Sequence, residues 1–337
     1  MTGRDGHQRR GCLRLSAADL TTWTVSLNSV RARSAEWGGP GRNVTKVESH
    51  GMGCISPERG MDPVAGDAGD AGRRLGAVIA ALDGPGFAPC LSDWFGACIG
   101  IDNLTVLVWA GNAPPRCLHR SAREESVHAS VDEIYCAGGY LLDPFFVLDR
   151  SEAPAGVYRL CDVAPDQFRS SEYYTSYYRD TKIVDEMVYV LRPAFGVSIH
   201  VCLGRDVTSD TPFSDAAYET AMGLLPVVVA LAARHWGHIT VDAVVSESGQ
   251  GAGSGMADIT ARFSDRLKTL CGVVLTRRQS ETALLILRGH SSGSAARMLG
   301  VSPQTVKVFR KQLYARCAIS SQAELFAMMM PILARLS

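Results

Sequence analysis

The chain has 337 residues, enough for two domains with separate cores, and its 46% hydrophobic and 20% charged content excludes a fully disordered protein. Its formal net charge of zero conceals a strong asymmetry: residues 276–337 carry nine Lys/Arg against two Glu, and residues 61–275 carry sixteen Lys/Arg against twenty-seven Asp/Glu. A basic C-terminal segment beside an acidic body predicts that only the C-terminal part meets a polyanion. The 10 cysteines include no C-x-x-C pair, which argues against a structural zinc site.

The first 60 residues are rich in Gly, Ser and Arg and have no sustained apolar periodicity. Such a segment cannot bury enough apolar surface to offset the entropy lost on ordering, so we interpret residues 1–70 as a disordered leader. A basic arm that contacts the same polyanion is the alternative role for this segment.

The middle of the chain alternates between helical and strand-like patterns. Apolar residues recur at helical spacing from about Arg73, and again from Phe87 to Ile99. Residues 122–138 predict a further helix, and apolar, β-branched runs predict three strands, at residues 104–109, 187–191 and 196–203. Ser214 can cap a long helix. Helices at both ends of a few antiparallel strands predict an α+β domain over residues 71–240.

A Gly- and Ser-rich stretch, residues 246–255, separates this domain from the basic segment. Its composition predicts a flexible linker, which we extend to residues 241–270. Residues 271–337 then contain four short helical patterns bounded by capping residues or glycine. The predicted fold is therefore multidomain: an α+β sensor-like domain followed by an all-α four-helix helix-turn-helix domain.

The start signals of three C-terminal helices are explicit. Thr276 can cap the first helix, and Ser292 can cap the second, which ends at Gly300. Ser302 stands at the cap position of the third helix and Pro303 at its first helical position, where the missing N–H costs nothing. The register of cap, helix, glycine turn and cap is typical of a helix-turn-helix.

The third helix has two distinct sides. Val306 and Leu313 form an inward apolar stripe, with Phe309 on its flank. The other side is polar and cationic, and it carries Thr305, Lys307, Val308, Arg310 and Lys311. Because the major groove of DNA admits one α-helix, we expect this helix to lie in it.

Residues 275–326 resemble, without gaps, the C-terminal domain of LuxR-type regulators. The motifs that carry the resemblance are Leu275-Thr-Arg-Arg-Gln-Ser-Glu, Gly289, and Ala296-Arg-Met-Leu-Gly-Val-Ser-Pro-Gln-Thr-Val-Lys307. The resemblance implies a four-helix domain that inserts its third helix into the major groove and dimerises through its fourth. Together with the helix pattern, it predicts ten DNA-binding residues: Thr276, Arg278, Ser292, Gly293, Ser302, Thr305, Val306, Lys307, Arg310 and Lys311.

Five positions depart from the family pattern. Gln279 replaces a usual Glu, so we expect one ion pair within the domain to be missing. The other four departures are Ala295 for a larger aliphatic residue, Cys317 for a Leu, Phe309 for a His and Gln322 for an Arg. We expect these changes to lower stability or alter site preference without removing DNA binding.

The middle domain also resembles the sensor half of LuxR-type regulators, through Tyr135-x4-Tyr140-Leu-Leu-Asp143-Pro144 and Tyr158. In acyl-homoserine-lactone receptors this pattern marks a pocket in which aromatic residues wall the ligand and the Asp binds its amide. The resemblance therefore implies that Tyr135, Tyr140, Asp143 and Tyr158 bind a ligand. However, the Trp expected before Tyr140 is absent, and the tyrosine-rich residues 171–178 look more like orphan regulators with a GAF-like sensor. A lactone pocket, a pocket for another effector and plain structural packing are the three alternatives.

The sequence predicts a DNA-binding transcription regulator that forms a homodimer on double-stranded DNA and that a small-molecule effector bound to the middle domain can control. The alternative is a constitutive DNA-binding protein whose middle domain serves only dimerisation. We expect no enzymatic activity and no cofactor, since no phosphate-cradling glycine loop is present. We also expect no metal site, because His119, His128 and His200 have no second ligand nearby in the sequence. The longest apolar run, residues 221–233, is shorter than a membrane span, so we expect no membrane partner and a cytoplasmic location.

Overall fold

The computed structural model describes residues 68–111, 113–124, 126–127, 131–248 and 255–334. All of them belong to one compact unit. All but the last three residues of the expected leader, and most of the Gly- and Ser-rich stretch 246–255, lie outside the described residues.

A five-stranded antiparallel sheet forms the centre of the middle region, with the strands in the order β2-β1-β5-β4-β3. Their bounds are Asn103–Ala110 (β1), Arg116–Ala122 (β2), Gly156–Arg159 (β3), Ile183–Ala194 (β4) and Val197–Asp206 (β5). The three predicted strands are thus confirmed as parts of β1, β4 and β5. Ala194 pairs with Val197, so Phe195 and Gly196 alone form the turn that joins β4 to β5. Gly196 has a φ of +71°, a conformation that a side chain would strain.

Three helices cover one face of the sheet: α1 (Ala68–Ala80), α2 (Phe87–Cys98) and α6 (Asp215–Trp236). The side chain of Ser214 begins α6, as predicted, by accepting a hydrogen bond of 3.2 Å from the backbone N–H of Ala217. Phe95 of α2 stacks on Tyr189 of β4 with ring centroids 5.4 Å apart. Burying one large apolar side chain in this way contributes about 1.5–3 kcal/mol. The main core of the protein therefore lies between the sheet and these three helices.

Short elements cover the opposite face of the sheet. They are α3 (Pro144–Arg150), α4 (Leu160–Val163), α5 (Glu172–Ser176), a π-helical turn at Val131–Tyr135, and 3-10 turns at Gly139–Leu142, Phe168–Ser170 and Tyr178–Thr181. Side chains alternate along a strand, so Ile199 and Val201 of β5 enter the main core while His200 and Cys202 point to this second face. The second face is consequently the polar one.

The predicted helix over residues 122–138 is wrong. Strand β2 occupies Arg116–Ala122, and only a single π-helical turn, Val131–Tyr135, forms later in that segment. Strand β2 lies at the edge of the sheet, is mostly half-buried and has no apolar alternation, so its sequence carries no strand signal. Its pairing with β1 decides its conformation. The short strand β3, at the other edge, was also not predicted from the sequence.

The C-terminal region consists of helices. They are α7 (Val241–Ser248), α8 (Gly255–Cys271), α9 (Arg277–Leu287), α10 (Ser292–Leu299), α11 (Pro303–Cys317) and α12 (Gln322–Leu333). The expected linker 241–270 thus contains α7 and most of α8. Phe263 and Leu267 of α8 are fully buried, and α8 packs against α9 and α12. Helix α8 is therefore an ordered part of the C-terminal assembly.

One helix in the described part of the chain, α6, is long and apolar enough to cross a membrane by length and composition. Its residues Ala221, Val228, Leu231 and Trp236 are buried in the main core. One side of α6 therefore packs against the sheet, while Met222, Val227 and Val229 elsewhere on the helix stay exposed.

Candidate nucleic-acid interface and buried tyrosine–carboxyl cluster

Helices α10 and α11 form the predicted helix-turn-helix. The expected cap at Ser292 is wrong by one residue: Ser291 is the N-cap of α10 and accepts from the backbone N–H of Ser294 at 3.1 Å. Both serines have the same capping chemistry, and the structure uses the first. Helix α10 ends at Gly300 with a φ of +65°, and Ser302 caps α11 by accepting from the backbone N–H of Thr305 at 3.0 Å.

Helix α11 presents an exposed face with two lysines. Lys307 and Lys311 are exposed, and the side chain of Val308 between them is 45% exposed. Arg310 is half-buried, and its guanidinium lies 5.1 Å from the ring centroid of Tyr314. Val306 is only 1% exposed and packs in the core of this domain, so its side chain is not part of the exposed face of α11.

Helix α9 begins in a capping box. The side chain of Thr276 accepts from the backbone N–H of Gln279 at 3.3 Å, and the side chain of Gln279 accepts from the backbone N–H of Thr276 at 3.0 Å. The side chain of Gln279 also donates a hydrogen bond to the side chain of Gln312 on α11 at 3.1 Å. At this position, where the usual Glu and its ion pair are absent, a neutral hydrogen bond therefore links α9 to α11. Arg278 is half-exposed and pairs with Glu281 at 3.0 Å.

This arrangement can bind a DNA duplex. An exposed lysine-bearing helix fits the major groove, and the N-termini of α9 and α11 provide backbone N–H groups for phosphates. The C-terminal residues 276–337, with nine basic and two acidic side chains, supply the long-range attraction. The fourth helix, α12, buries its apolar side chains Phe326, Met329, Met330 and Leu333 within the chain.

The structure brings together three of the four predicted ligand-binding residues. Tyr135 donates a hydrogen bond from its hydroxyl to the carboxylate of Asp143, and its ring centroid lies 6.5 Å from that of Tyr140. Asp143 also caps α3 through the backbone N–H of Phe145 at 2.8 Å. Tyr158 lies apart on the edge strand β3, where its hydroxyl donates to the carbonyl of Pro154.

Tyr135, Tyr140 and Asp143 lie among further residues that the sequence did not single out as ligand-binding. We define the tyrosine–carboxyl cluster as Tyr135, Tyr140, Asp143, Tyr173, Tyr177, Tyr178, Glu186 and Cys202. Tyr178 donates to Glu186 at 3.1 Å. Burial, followed by the nearby charge of Asp143, raises the pKa of Glu186 to about 8, and burial also raises the pKa of Asp143. The sequence signals for this cluster were the pattern of Tyr135, Tyr140 and Asp143 and the density of tyrosines in residues 171–178.

A second carboxylate, Asp149, anchors α3 to the sheet. Its Oδ1 accepts hydrogen bonds from Arg192 at 2.5 Å and Ser198 at 2.7 Å, and it lies 3.2 Å from Nε2 of His200. Burial raises the pKa of Asp149, but its contacts with His200, Ser198 and Arg192 outweigh burial and hold that pKa well below its usual value. This network satisfies its polar groups and explains His200 as a structural residue.

Two polar side chains on the same face of the sheet have no hydrogen-bond partner among the described residues. They are Oγ1 of Thr105 and Nε1 of Trp109, in side chains that are 3% and 1% exposed. Thr105 pairs across the sheet with Cys202 of the cluster, and Trp109 lies against Tyr140 with ring centroids 5.5 Å apart. A buried polar atom without a partner costs about 1–3 kcal/mol, so these two positions suit a ligand that supplies hydrogen bonds.

A narrow cleft opens beside the cluster. Its cavity volume is about 10 Å³, scarcely enough for one water molecule, and it is lined by Ala113, Tyr140, Leu141, Phe146, Arg150, Ile259 and Arg262. The cleft therefore lies between the middle region and α8. In the part of the chain that the structure describes, no group of three or more His, Cys, Asp or Glu side chains could hold a metal ion. His128 lies outside the described residues.

The sequence also contains a Gly-x-Ser-x-Gly pattern, Gly289-His290-Ser291-Ser292-Gly293. In hydrolases this pattern needs a turn from a strand to a helix. Here it joins two helices, and the hydroxyl of Ser291 is engaged by the carboxylate of Asp166 and by the cap of α10. The pattern therefore belongs to the helix-turn-helix and does not form a nucleophile elbow.

Residues 273–329 match the sequence profile of the family described as bacterial regulatory proteins, luxR family. A protein of Aeromonas salmonicida, described as a candidate HTH-type transcriptional regulator in the exeN 3′ region, is 28% identical over 184 residues. The matched part covers 55% of this chain and 91% of that protein.

Two solved structures are also similar. The LBD domain of Pseudomonas aeruginosa VqsR is 26% identical with a TM-score of 0.45, and the match covers 51% of this chain and 99% of that one. Escherichia coli SdiA is 12% identical with a TM-score of 0.32, and the match covers 78% of this chain and 96% of that one.

Proposed function

Because residues 273–329 form a LuxR-family helix-turn-helix domain, we propose that this chain is a cytoplasmic, non-enzymatic transcription regulator that reads double-stranded DNA with α11. The observation that carries the proposal is the exposed face of α11, with Lys307 and Lys311 on a helix capped by Ser302. Thr276, Arg278, Ser292, Gly293, Thr305 and Arg310 complete the proposed interface.

Replacing Lys307 by Ala tests the assignment of this face. If Lys307 contacts a base edge, the variant should bind its site about 1–3 kcal/mol more weakly. If Lys307 contacts a phosphate, the slope of log affinity against log salt concentration should fall by about one. Mobility shifts across a salt series measure both. The matched control is Lys268→Ala, which removes an exposed lysine from α8. Equal affinity and equal salt slope in both variants would contradict the proposal.

We further propose that the tyrosine–carboxyl cluster binds a small-molecule effector. The support is the combination of buried carboxyl groups at Asp143 and Glu186 with the unpartnered Thr105 and Trp109 on the same face of the sheet. Purified wild-type chain and an Asp143→Asn variant can be compared by native mass spectrometry for a retained small molecule. We expect retention only in the wild type. If neither chain retains a molecule, and both bind DNA equally, the middle region serves only dimerisation.

We also propose that the chain forms a homodimer through the outward face of α6. Met222, Val227 and Val229 on this face are 41%, 38% and 39% exposed. Exposed Glu219 lies near the N-terminal end of α6, and Arg234, which pairs with Asp83 at 2.5 Å, lies near its C-terminal end. Two α6 helices packed antiparallel about a two-fold axis would therefore place opposite charges together at both ends.

Sedimentation velocity on Val227→Asp tests this dimer. A two-fold axis places the new carboxylates of both protomers in one apolar interface, so the dimer should weaken at least about tenfold, which corresponds to about 1.4 kcal/mol. Val274→Asp is the matched control, because Val274 is 55% exposed and precedes α9. An unchanged dimer in Val227→Asp, or an equal loss in both variants, would exclude the α6 interface.

A further inference from the structure

The helix-turn-helix is docked on the middle region through the turn between α9 and α10, residues 288–291. We call residues 165–168 of the middle region the docking segment. The backbone N–H of Gln167 donates to the carbonyl of Gly289 at 2.9 Å. The backbone N–H of Ser291 donates to Oδ1 of Asp166 at 2.9 Å, and the hydroxyl of Ser291 donates to the other carboxylate oxygen. The carboxylate of Asp166 thus accepts two hydrogen bonds from Ser291, the N-cap residue of α10.

Backbone close approaches show that this contact is shaped for docking. Gly289 has a φ of +90°, and a Cβ on it would lie 2.7 Å from Cα of Phe168. A Cβ on Gly138, with a φ of +140°, would lie 2.7 Å from the backbone of Ala334, just after α12. Contacts as close as these fit only glycine. Two separate points of the C-terminal region therefore approach the middle region at glycine positions.

Arg288 adds a buried charge to the same contact. Its side chain is 5% exposed, and its Nε donates to the carbonyl of Leu141 at 3.1 Å. Burial lowers the pKa of Arg288 to about 10. Because burying a guanidinium is costly unless its N–H groups find acceptors, the Leu141 carbonyl makes the docked position of the α9–α10 turn specific.

The docked position places a carboxylate where DNA would place a phosphate. Helix-turn-helix proteins hold the DNA backbone with side chains and with backbone N–H groups at helix N-termini. The first residues of α10, Ser292 and Gly293, are predicted DNA-binding residues, and Ser291 directly precedes them. Desolvation raises the pKa of Asp166, but the hydrogen bonds from Ser291 outweigh it, so Asp166 is negatively charged at neutral pH. A phosphate and the carboxylate of Asp166 cannot both accept hydrogen bonds from the N–H and hydroxyl of Ser291, and their negative charges repel each other.

We propose that Asp166 is an intramolecular competitor of a DNA phosphate, and that the docked state seen here is autoinhibited. The proposal rests on the DNA-binding function proposed above. In the docked state the N-terminus of α10 is closed by Asp166, while the lysine face of α11 stays exposed. DNA binding then requires the docking segment to leave the α9–α10 turn, and any ligand or partner that moves the docking segment controls affinity.

The test compares full-length wild type with Asp166→Ala on a duplex that the full-length wild-type chain selects from a random-sequence pool. Asp166→Ala should bind this duplex about two- to fivefold more tightly, since an exposed charged contact contributes up to about 1 kcal/mol, which is about fivefold in affinity. The matched control is Asp93→Ala, which removes the same charge from an exposed position on α2. This control separates local competition from the general effect of a less acidic protein.

Hydrogen exchange of the amides of residues 289–291 gives an independent readout of docking. We expect faster exchange in Asp166→Ala than in wild type and Asp93→Ala. Unchanged exchange means that the contact is not made in solution, and faster exchange with unchanged affinity means that it does not compete with DNA; either result overturns the proposal. An equal gain in affinity in Asp93→Ala and Asp166→Ala also overturns it. If the wild-type chain selects no duplex at all, the DNA-binding function itself fails, and the inference fails with it.

Discussion

The buried glutamate in the tyrosine–carboxyl cluster should make the stability of this protein depend on pH. Glu186 has a pKa of about 8 in the folded protein, against 4.5 for an ordinary glutamate, and burial is the largest cause. Between these two values the native state keeps its proton while the unfolded chain loses it. The free energy of unfolding therefore falls as the pH rises from about 4.5 to about 8, and is constant above that.

The magnitude follows from about 1.4 kcal/mol per pH unit over that interval. At pH 7 the buried acid costs about 3 kcal/mol, and at pH 5 less than about 1 kcal/mol. Glu186→Gln removes the ionisable group and keeps an oxygen that can accept the hydrogen bond from Tyr178. We expect the variant to be more stable than wild type by about 3 kcal/mol at pH 7, with the gain almost gone at pH 5.

Urea unfolding at pH 5, 7 and 8, followed by circular dichroism, measures this difference. Glu133→Gln is the control, because Glu133 is exposed and its replacement should leave the pH profile unchanged. A stability difference between Glu186→Gln and wild type that stays constant from pH 5 to pH 8 would refute the reasoning. A variant less stable than wild type at all three values would refute it too.

Two further substitutions test the local geometry of the C-terminal region. Gly289→Ala should lower stability by about 2–4 kcal/mol, because it combines a left-handed φ with a collision against Phe168, whereas Gly300→Ala, with open space around it, should cost only about 1–2 kcal/mol in thermal unfolding. Equal losses would mean that the docking segment does not contact the α9–α10 turn in solution. Ser302→Ala should cost about 1 kcal/mol by removing the cap of α11, and Ser302→Asp should restore stability while weakening DNA binding, as judged by melting and mobility shifts. A Ser302→Asp variant no more stable than Ser302→Ala would show that capping is not the role of this residue.

The sequence by itself determined the helix-turn-helix. Its signals are local: a cap such as Ser302 bonds three residues ahead, Gly300 ends the preceding helix, and the inward residues Val306 and Leu313 recur at helical spacing. Each signal acts within one or two helical turns, so no knowledge of distant residues was needed. The single error of register, Ser292 for Ser291, arose where two adjacent residues have the same capping chemistry.

The middle region was predicted only in part, because its decisive interactions are not local. The apolar runs of β1, β4 and β5 identified three strands, whereas the edge strand β2 gained its conformation from pairing with β1. The tyrosine–carboxyl cluster joins Tyr135 and Asp143 to Glu186 and Cys202, which lie on separate strands and become neighbours only when β4 pairs with β5. The sequence pattern suggested the tyrosines and Asp143, but it did not show that Glu186 lies beside them.

Only the tertiary structure revealed how the two regions meet. Asp166 and Ser291 are 125 residues apart, and Arg288 and Leu141 are 147 apart. Gly289 was identified from the sequence as part of a family motif, whereas the structure shows that it also admits the backbone of Phe168. Sequence determines where a helix begins because the cap bonds its own neighbours. What a helix end contacts across the molecule depends on the packing of the whole chain, and packing leaves no periodic trace in the sequence.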